Sequence, residues 1–271
     1  MSRDKVSLNG KFVPFEEAGF APEYLLGVNF VYQKLHALSY ETLQANAHVE
    51  IAEVSYNALY GQPAGISRTD LESDVRSLLL ANRYPAASNQ LILYLVPPEK
   101  GAGVPSRLLV CEKQLLYKGY TIWHSGLKAL TVPYDYPFPE HKTAASLAAH
   151  NCALEYALRK GSQAAICENR DGIAVGVGEN PLFALTGEKV FTTPIECGAA
   201  ESVERRMGIA ACQRAGLAVF DEPVECGSLA SFDELFTVTP QGVISIAECG
   251  GKLFPHSMAK KIADHMTAIK L

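Results

Sequence analysis

The spacing of apolar and polar positions changes several times along the chain, and the changes mark its elements. KVSLNGKFVPF (5–15) carries two short runs about Asn9-Gly10. That dipeptide accepts positive φ at both turn positions and predicts a hairpin. FVYQKLHAL (30–38) is rich in β-formers and predicts a strand. In HVEIAEVSYNALYG (48–61), Val49, Ile51, Ala52, Val54, Ala58 and Leu59 recur near helical spacing, and Gly61 stands where the helix should end. TDLESDVRSLLLANRY (69–84) predicts a second helix, capped by Thr69 or Asp70 and stopped before Pro85. SNQLILYLVPP and PSRLLVCEKQLLY are apolar strands joined by the loop EKGAGVP.

In the second half, the prolines of LKALTVPYDYPFP (127–139) predict a linker or an edge strand. A helix over 143–159 follows, and Leu147, Leu154 and Leu158 predict its buried stripe. QAAICENRDGIAVGVGE predicts a hairpin turning at Arg170-Asp171-Gly172, and PLFALTGEKVFTTP a second one turning at Thr186-Gly187. Then come a helix over 200–216, the strand LAVFDEPV, a helical turn with two strands (228–254), and an amphipathic terminal helix. Strands outnumber helices and arrive as hairpins. The expected fold is α+β: an N-terminal two-layer α/β sandwich over residues 1–118, and a closed or half-closed barrel with flanking helices over 119–271.

Composition narrows the function. With 48% hydrophobic and 20% charged residues the chain is an ordinary globular one, and a net charge of −5 argues against nucleic-acid or anionic-membrane surfaces. Seven cysteines without a C-x-x-C pair read as reduced thiols, which points to the cytoplasm. No apolar run reaches membrane-spanning length, and the first residues hold no signal-peptide core.

Most chemical motifs are missing. GIAVGVGEN (172–180) has spaced glycines, but the β-branched residues between them point to close backbone approach in a strand, not to a dinucleotide loop. No H-E-x-x-H, no Cys/His ligand spacing and no G-x-S-x-G is present, so no metal site or hydrolase elbow is predicted. Lys142 stands out. It opens the small-residue stretch HKTAASLAAHN (141–151) just after the proline-rich segment. Two readings are open for a lysine at such a junction: its stem packs and the amine is desolvated, which lowers its pKa and leaves a nucleophile, or it snorkels as an ordinary surface residue.

The order of features from Lys142 onward resembles the class IV aminotransferases: branched-chain and D-amino-acid aminotransferases and aminodeoxychorismate lyase. After Lys142 and its Ala-rich helix come GEN-P-LF (178–183), TTP (192–194), a helix with Arg205 near its start, GLAV (216–219) and SFDELFTVT (231–239). NGKFVPFEEA (9–18), Gly27 before FVY, and His48 with Ser55 resemble the family's N-terminal half. The resemblance implies an N-terminal α/β sandwich and a C-terminal pseudo-barrel with pyridoxal phosphate (PLP). It implies Lys142 as Schiff-base residue, with Glu179, Asn180, Ser202, Val203, Arg205 and Thr239 around the cofactor. It also implies an amino-acid-type substrate and a homodimer, whose interface would cover the apolar stretch EYLLGVNFVY (23–32).

Several positions depart from that pattern. The family's phosphate-binding arginine falls on Ile51 and its pyridinium-pairing acid on Val175. An asparagine and a tyrosine fall on Ser146 and Leu147. The Gly-Ile-Thr that holds phosphate falls on Ser202-Val203-Glu204, and the late Gly-Thr on Thr239-Pro240, where proline offers no N–H. With Ile51 and Val175 alone, a strong charge-assisted contact and the pyridinium partner are both gone. The expectation is weak cofactor binding, with Arg205, Arg206 or Ser202 as substitute anchors. The alternative is a degenerate relative that has lost PLP and serves as a binding or scaffold protein.

Overall fold

Asn9 and Gly10 both take positive φ, 51° and 81°, and turn the strand β1 (Lys5–Leu8) into β2 (Lys11–Pro14), as their chemistry dictates. This hairpin lies within the first of two compact units, Met1–Gly119 and Tyr120–Leu271. The computed structural model describes residues 5–19, 24, 27–99, 103–115, 118–120 and 122–271. Residues 23, 25 and 26 of EYLLGVNFVY, 100–102 of the EKGAGVP loop and 116–117 of PSRLLVCEKQLLY lie outside the described residues.

The first unit adds β3 (Val31–Leu38), β4 (Glu41–Thr42), β5 (Ser88–Val96) and β6 (Ser106–Gln114) to the hairpin. The antiparallel sheet runs β2-β1-β6-β5-β3-β4. Two helices, α1 (Ala45–Tyr60) and α2 (Arg68–Ala81), pack on it. Strand alternation sends Val31, Leu35, Leu91, Leu93 and Leu95 to the helix side, where they meet Ala52, Tyr56, Leu71, Val75 and Leu78. Helix α1 begins at Ala45, ahead of the expected His48, because Gln44 takes the left-handed conformation and turns the chain into it. Gly61 ends it at φ 67°. The cap of α2 is Ser67, whose hydroxyl accepts from the Asp70 N–H, and not Thr69 or Asp70 as expected. The Glu53 carboxylate accepts from the N–H groups of Ala64 and Ile66 and so ties α1 to the loop before α2.

The second unit holds β7 (Ile122–Pro133), α3 (Ala144–Arg159), β8 (Ala164–Glu168), β9 (Ala174–Val177), β10 (Leu182–Thr186) and β11 (Lys189–Thr192). Then follow α4 (Val203–Arg214), β12 (Ala218–Asp221), β13 (Glu234–Thr239), β14 (Gly242–Cys249), β15 (Lys252–Leu253) and α5 (Ser257–Met266). The sheet runs β12-β11-β10-β13-β14-β7-β8-β9, with β15 beside β14, and curls into a half-barrel. The two expected hairpins are present, β8–β9 and β10–β11. Ile166, Leu182, Leu235, Ile246 and Phe254 belong to one core cluster of this sheet.

Two expectations fail here. Residues 127–133 form neither a linker nor an edge strand, because β7 pairs in parallel with both β14 and β8. Its proline comes last, at Pro133, and Pro137 and Pro139 follow the strand, so none of them removes an interior ladder bond. The leucine stripe of α3 is not its buried face either. Leu154 is 40% and Leu158 54% exposed, while Ser146, His150, Ala153 and Ala157 are buried. Small side chains let the helix lie close to β7 and β8; Leu154 and Leu158 are left outside and Leu147 is half-buried.

Helix α5 is fixed by a buried acid. The Glu234 carboxylate accepts from the Ser257 hydroxyl and from the N–H groups of Met258 and Ala259. A carboxylate at a helix N-terminus satisfies orphan donors and favours the helix dipole. Glu234→Ala is expected to cost about 2–3 kcal/mol of stability. Urea unfolding checks it, and a midpoint unchanged from wild type would reject the clasp.

Candidate functional site

The site is built where the segment after β7 turns into α3. Thr143 caps that helix: its hydroxyl accepts from the Ser146 N–H at 3.3 Å, and the Ser146 hydroxyl accepts from the Thr143 N–H at 2.8 Å. This reciprocal box fixes the backbone immediately after Lys142. Lys142 is 2% exposed, and its Nζ donates to Glu204 Oε2 at 3.3 Å. Glu204 lies in the first turn of α4, whose cap is Ser202, with its hydroxyl accepting from the Arg205 N–H. The helix start favours an acid there.

Burial pulls the lysine toward its neutral form. Glu204 and then Glu179 outweigh it and hold the Lys142 pKa above the ordinary 10.5. The expected lowering is therefore corrected: desolvation acts, but the neighbouring acids win. The other oxygen of Glu204, Oε1, is buried and has no hydrogen-bond partner among the described residues. Tyr120 is also buried, and burial followed by Glu204 raises its pKa well above the usual tyrosine range.

The same unit holds a cluster of two tyrosines and a histidine that sequence reasoning missed. The Tyr134 ring stacks on His150 at 4.9 Å, its hydroxyl lies 2.7 Å from His150 Nδ1, and Tyr136 meets Tyr134 edge to face at 4.7 Å. Burial pushes the Tyr136 pKa up to about 12. Val175 packs in the same cluster as Tyr134, with Val132, Ala153 and Cys167. The space left among Val175, Glu179, Asn180, Tyr134 and His150 is about 10 Å³.

The remaining predicted residues are placed as follows. Gly178 and Glu179 form the tight turn between Val177 and Asn180, which pair through both backbone bonds. A Cβ on Gly176 would lie 2.7 Å from the Asn180 carbonyl oxygen, so the spaced glycines do mark close backbone approach. Val203 is buried core. The Arg205 guanidinium donates to Thr193 O and Asp221, and Arg206 pairs with Glu201. The Thr239 hydroxyl donates to Gly242 O and accepts from the Gln241 N–H, closing the β13–β14 turn. Ile51 is buried in α1 and brings no charge. Among the described residues no group of three or more His, Cys, Asp or Glu side chains could hold a metal, and no helix is long and apolar enough to cross a membrane.

The profile of the amino-transferase class IV family matches residues 32–249, and the chain belongs to that family. It is similar to a branched-chain aminotransferase from the archaeon Thermoproteus uzoniensis solved with norvaline. There the TM-score is 0.85 at 19% identity, over 97% of this chain and 93% of that one. The Escherichia coli branched-chain amino acid aminotransferase gives a TM-score of 0.84 at 17% identity, over 98% and 94%. A fold IV transaminase of Curtobacterium pusillum gives 0.80 at 15% identity, over 98% of both chains. No curated protein matches the chain.

The family implies PLP, but the residues present in this chain do not fit it. Schiff-base formation needs a neutral amine, and Lys142 is held charged by Glu204 in a dry site. At the start of α4, where the resemblance puts phosphate contacts, the Ser202 hydroxyl already serves the Arg205 N–H, and Glu204 adds a negative charge. Arg205 and Arg206 face acids of their own. At Val175 there is no acid for a pyridinium, and the stacked rings of Tyr134 and His150 stand beside it.

Proposed function

We propose that this chain is a class IV family member that has lost PLP chemistry and acts as a small-molecule binding protein on the aminotransferase fold. The buried Lys142–Glu204 ion pair carries the reading. It gives the lysine an internal counter-ion and supports a structural role for a residue that the resemblance assigns to catalysis. The test is a PLP titration of purified protein, followed by borohydride reduction and peptide mass mapping. We expect no aldimine absorbance and no adduct on Lys142. A stoichiometric adduct there would reject the proposal.

A second reading keeps the PLP enzyme, a transaminase or lyase acting on an amino acid or amino-chorismate through Lys142. Its support is the placement of Lys142 one residue before a capped helix, with Glu179 close enough to act on it electrostatically. The same titration decides between the two. A cytoplasmic homodimer is carried by composition and family resemblance alone.

A further inference from the structure

We infer that a half-open cavity of about 260 Å³ in the second unit binds a small organic cation, an alkyl or arylalkyl ammonium. The inference rests on the binding-protein reading above and gives that protein a ligand class. Neither Lys142 nor Glu204 lines this cavity, although Val175 does.

Its wall is aromatic. Tyr134 and Tyr136 border it with their hydroxyls already engaged, one against His150 and the other donating to Pro139 O. The Tyr134 ring is buried under His150, so the half-buried Tyr136 is the one that offers a ligand ring surface. Gly198, at φ +96°, forms part of the floor. That backbone conformation favours glycine, and a Cβ there would make only ordinary contacts with Val175 and Pro139, at 3.5 and 3.6 Å. The frame is preformed. The Asn169 amide donates to Cys197 O and accepts from the N–H groups of Asp171 and Ile173, which locks the β8–β9 turn to the turn Ile195–Cys197.

Charge selects the ligand. Arg170 pairs with Asp135 at the rim, which leaves Asp171 and Glu196. Neither carboxylate has an ion-pair or hydrogen-bond partner among the described residues. Two uncompensated acids on a cavity that the Tyr136 ring also borders attract a cation by Coulomb and cation–π terms, and the acids repel phosphates and carboxylates. The volume suits a ligand below drug size.

Calorimetric titration of the full chain tests this, with phenethylammonium as probe and 2-phenylethanol and phenylacetate as its neutral and anionic counterparts. We expect saturable binding of the ammonium alone, at least about ten-fold weaker in Asp171→Asn/Glu196→Gln. Both positions are exposed, so that variant should keep the wild-type melting profile, which is measured alongside. Absence of saturable binding up to about 10 mM, or equal affinity for the alcohol, would overturn the site. So would a double variant that folds and binds undiminished. The PLP titration is run on the same preparation. An adduct on Lys142 would remove the parent reading, while the ammonium titration still decides the cavity.

Discussion

Lys142→Met is expected to lower the unfolding free energy by about 3–5 kcal/mol, because it strands the Glu204 carboxylate in a dry interior. Glu204→Leu should cost a similar amount by stranding the ammonium. The double variant Lys142→Met/Glu204→Leu should regain most of the loss and can exceed wild type, since the desolvation cost of both ions disappears. Guanidinium unfolding of the four proteins makes a double-mutant cycle, and strictly additive effects would show that the pair is uncoupled. Alkali gives a second reading. The folded lysine pKa is raised above 10.5, so its stabilisation is complete below the unfolded value and is lost as pH climbs through the folded one. The double variant should lack that alkaline loss.

Val175→Glu is expected to cost about 3–5 kcal/mol without creating a cofactor site. The resemblance puts a pyridinium-pairing acid at this position, so the substitution nominally restores the family pattern. In this chain the residue belongs to the core cluster of Val132, Tyr134, Ala153 and Cys167, and it is 7% exposed. A carboxylate there loses hydration and gains no ring nitrogen. Thermal unfolding with and without saturating PLP reads both halves of the claim. A variant that PLP restabilises, with Schiff-base absorbance, would mean that Tyr134 and His150 yield to a cofactor after all.

Legibility in the sequence followed the range of the interaction. The Asn9-Gly10 turn, the Gly61 helix end and the hairpins of the second half are written in neighbouring residues. β7 was misread because proline was counted as an interruption, whereas Pro133 merely ends the strand. The inner face of α3 was assigned to leucine on apolar mass, while close approach to β7 and β8 selected alanine, serine and histidine. Lys142 could be flagged from its small neighbours. Its partner lies 62 residues away, and only the odd acid at the family's phosphate threonine hinted at it. The stacking of Tyr134 on His150 leaves no periodic trace at all.

The central place of β7 also sets a clock. Its register pairs Ile122 with Gly242 on one side and Ala129 with Ala164 on the other, both in parallel. The long loop between 122 and 242 must close before that ladder returns any stabilisation, and parallel contacts distant in sequence form slowly. Helix α3 and the β8–β9 hairpin are local enough to assemble earlier. The Lys142–Glu204 contact spans elements that lie within the long loop, so both charges stay hydrated until the sheet has closed around them. Refolding of the second unit should therefore be limited by mating of β7 with β14, and the ion pair should lock in late, slowing unfolding while leaving the folding rate almost untouched.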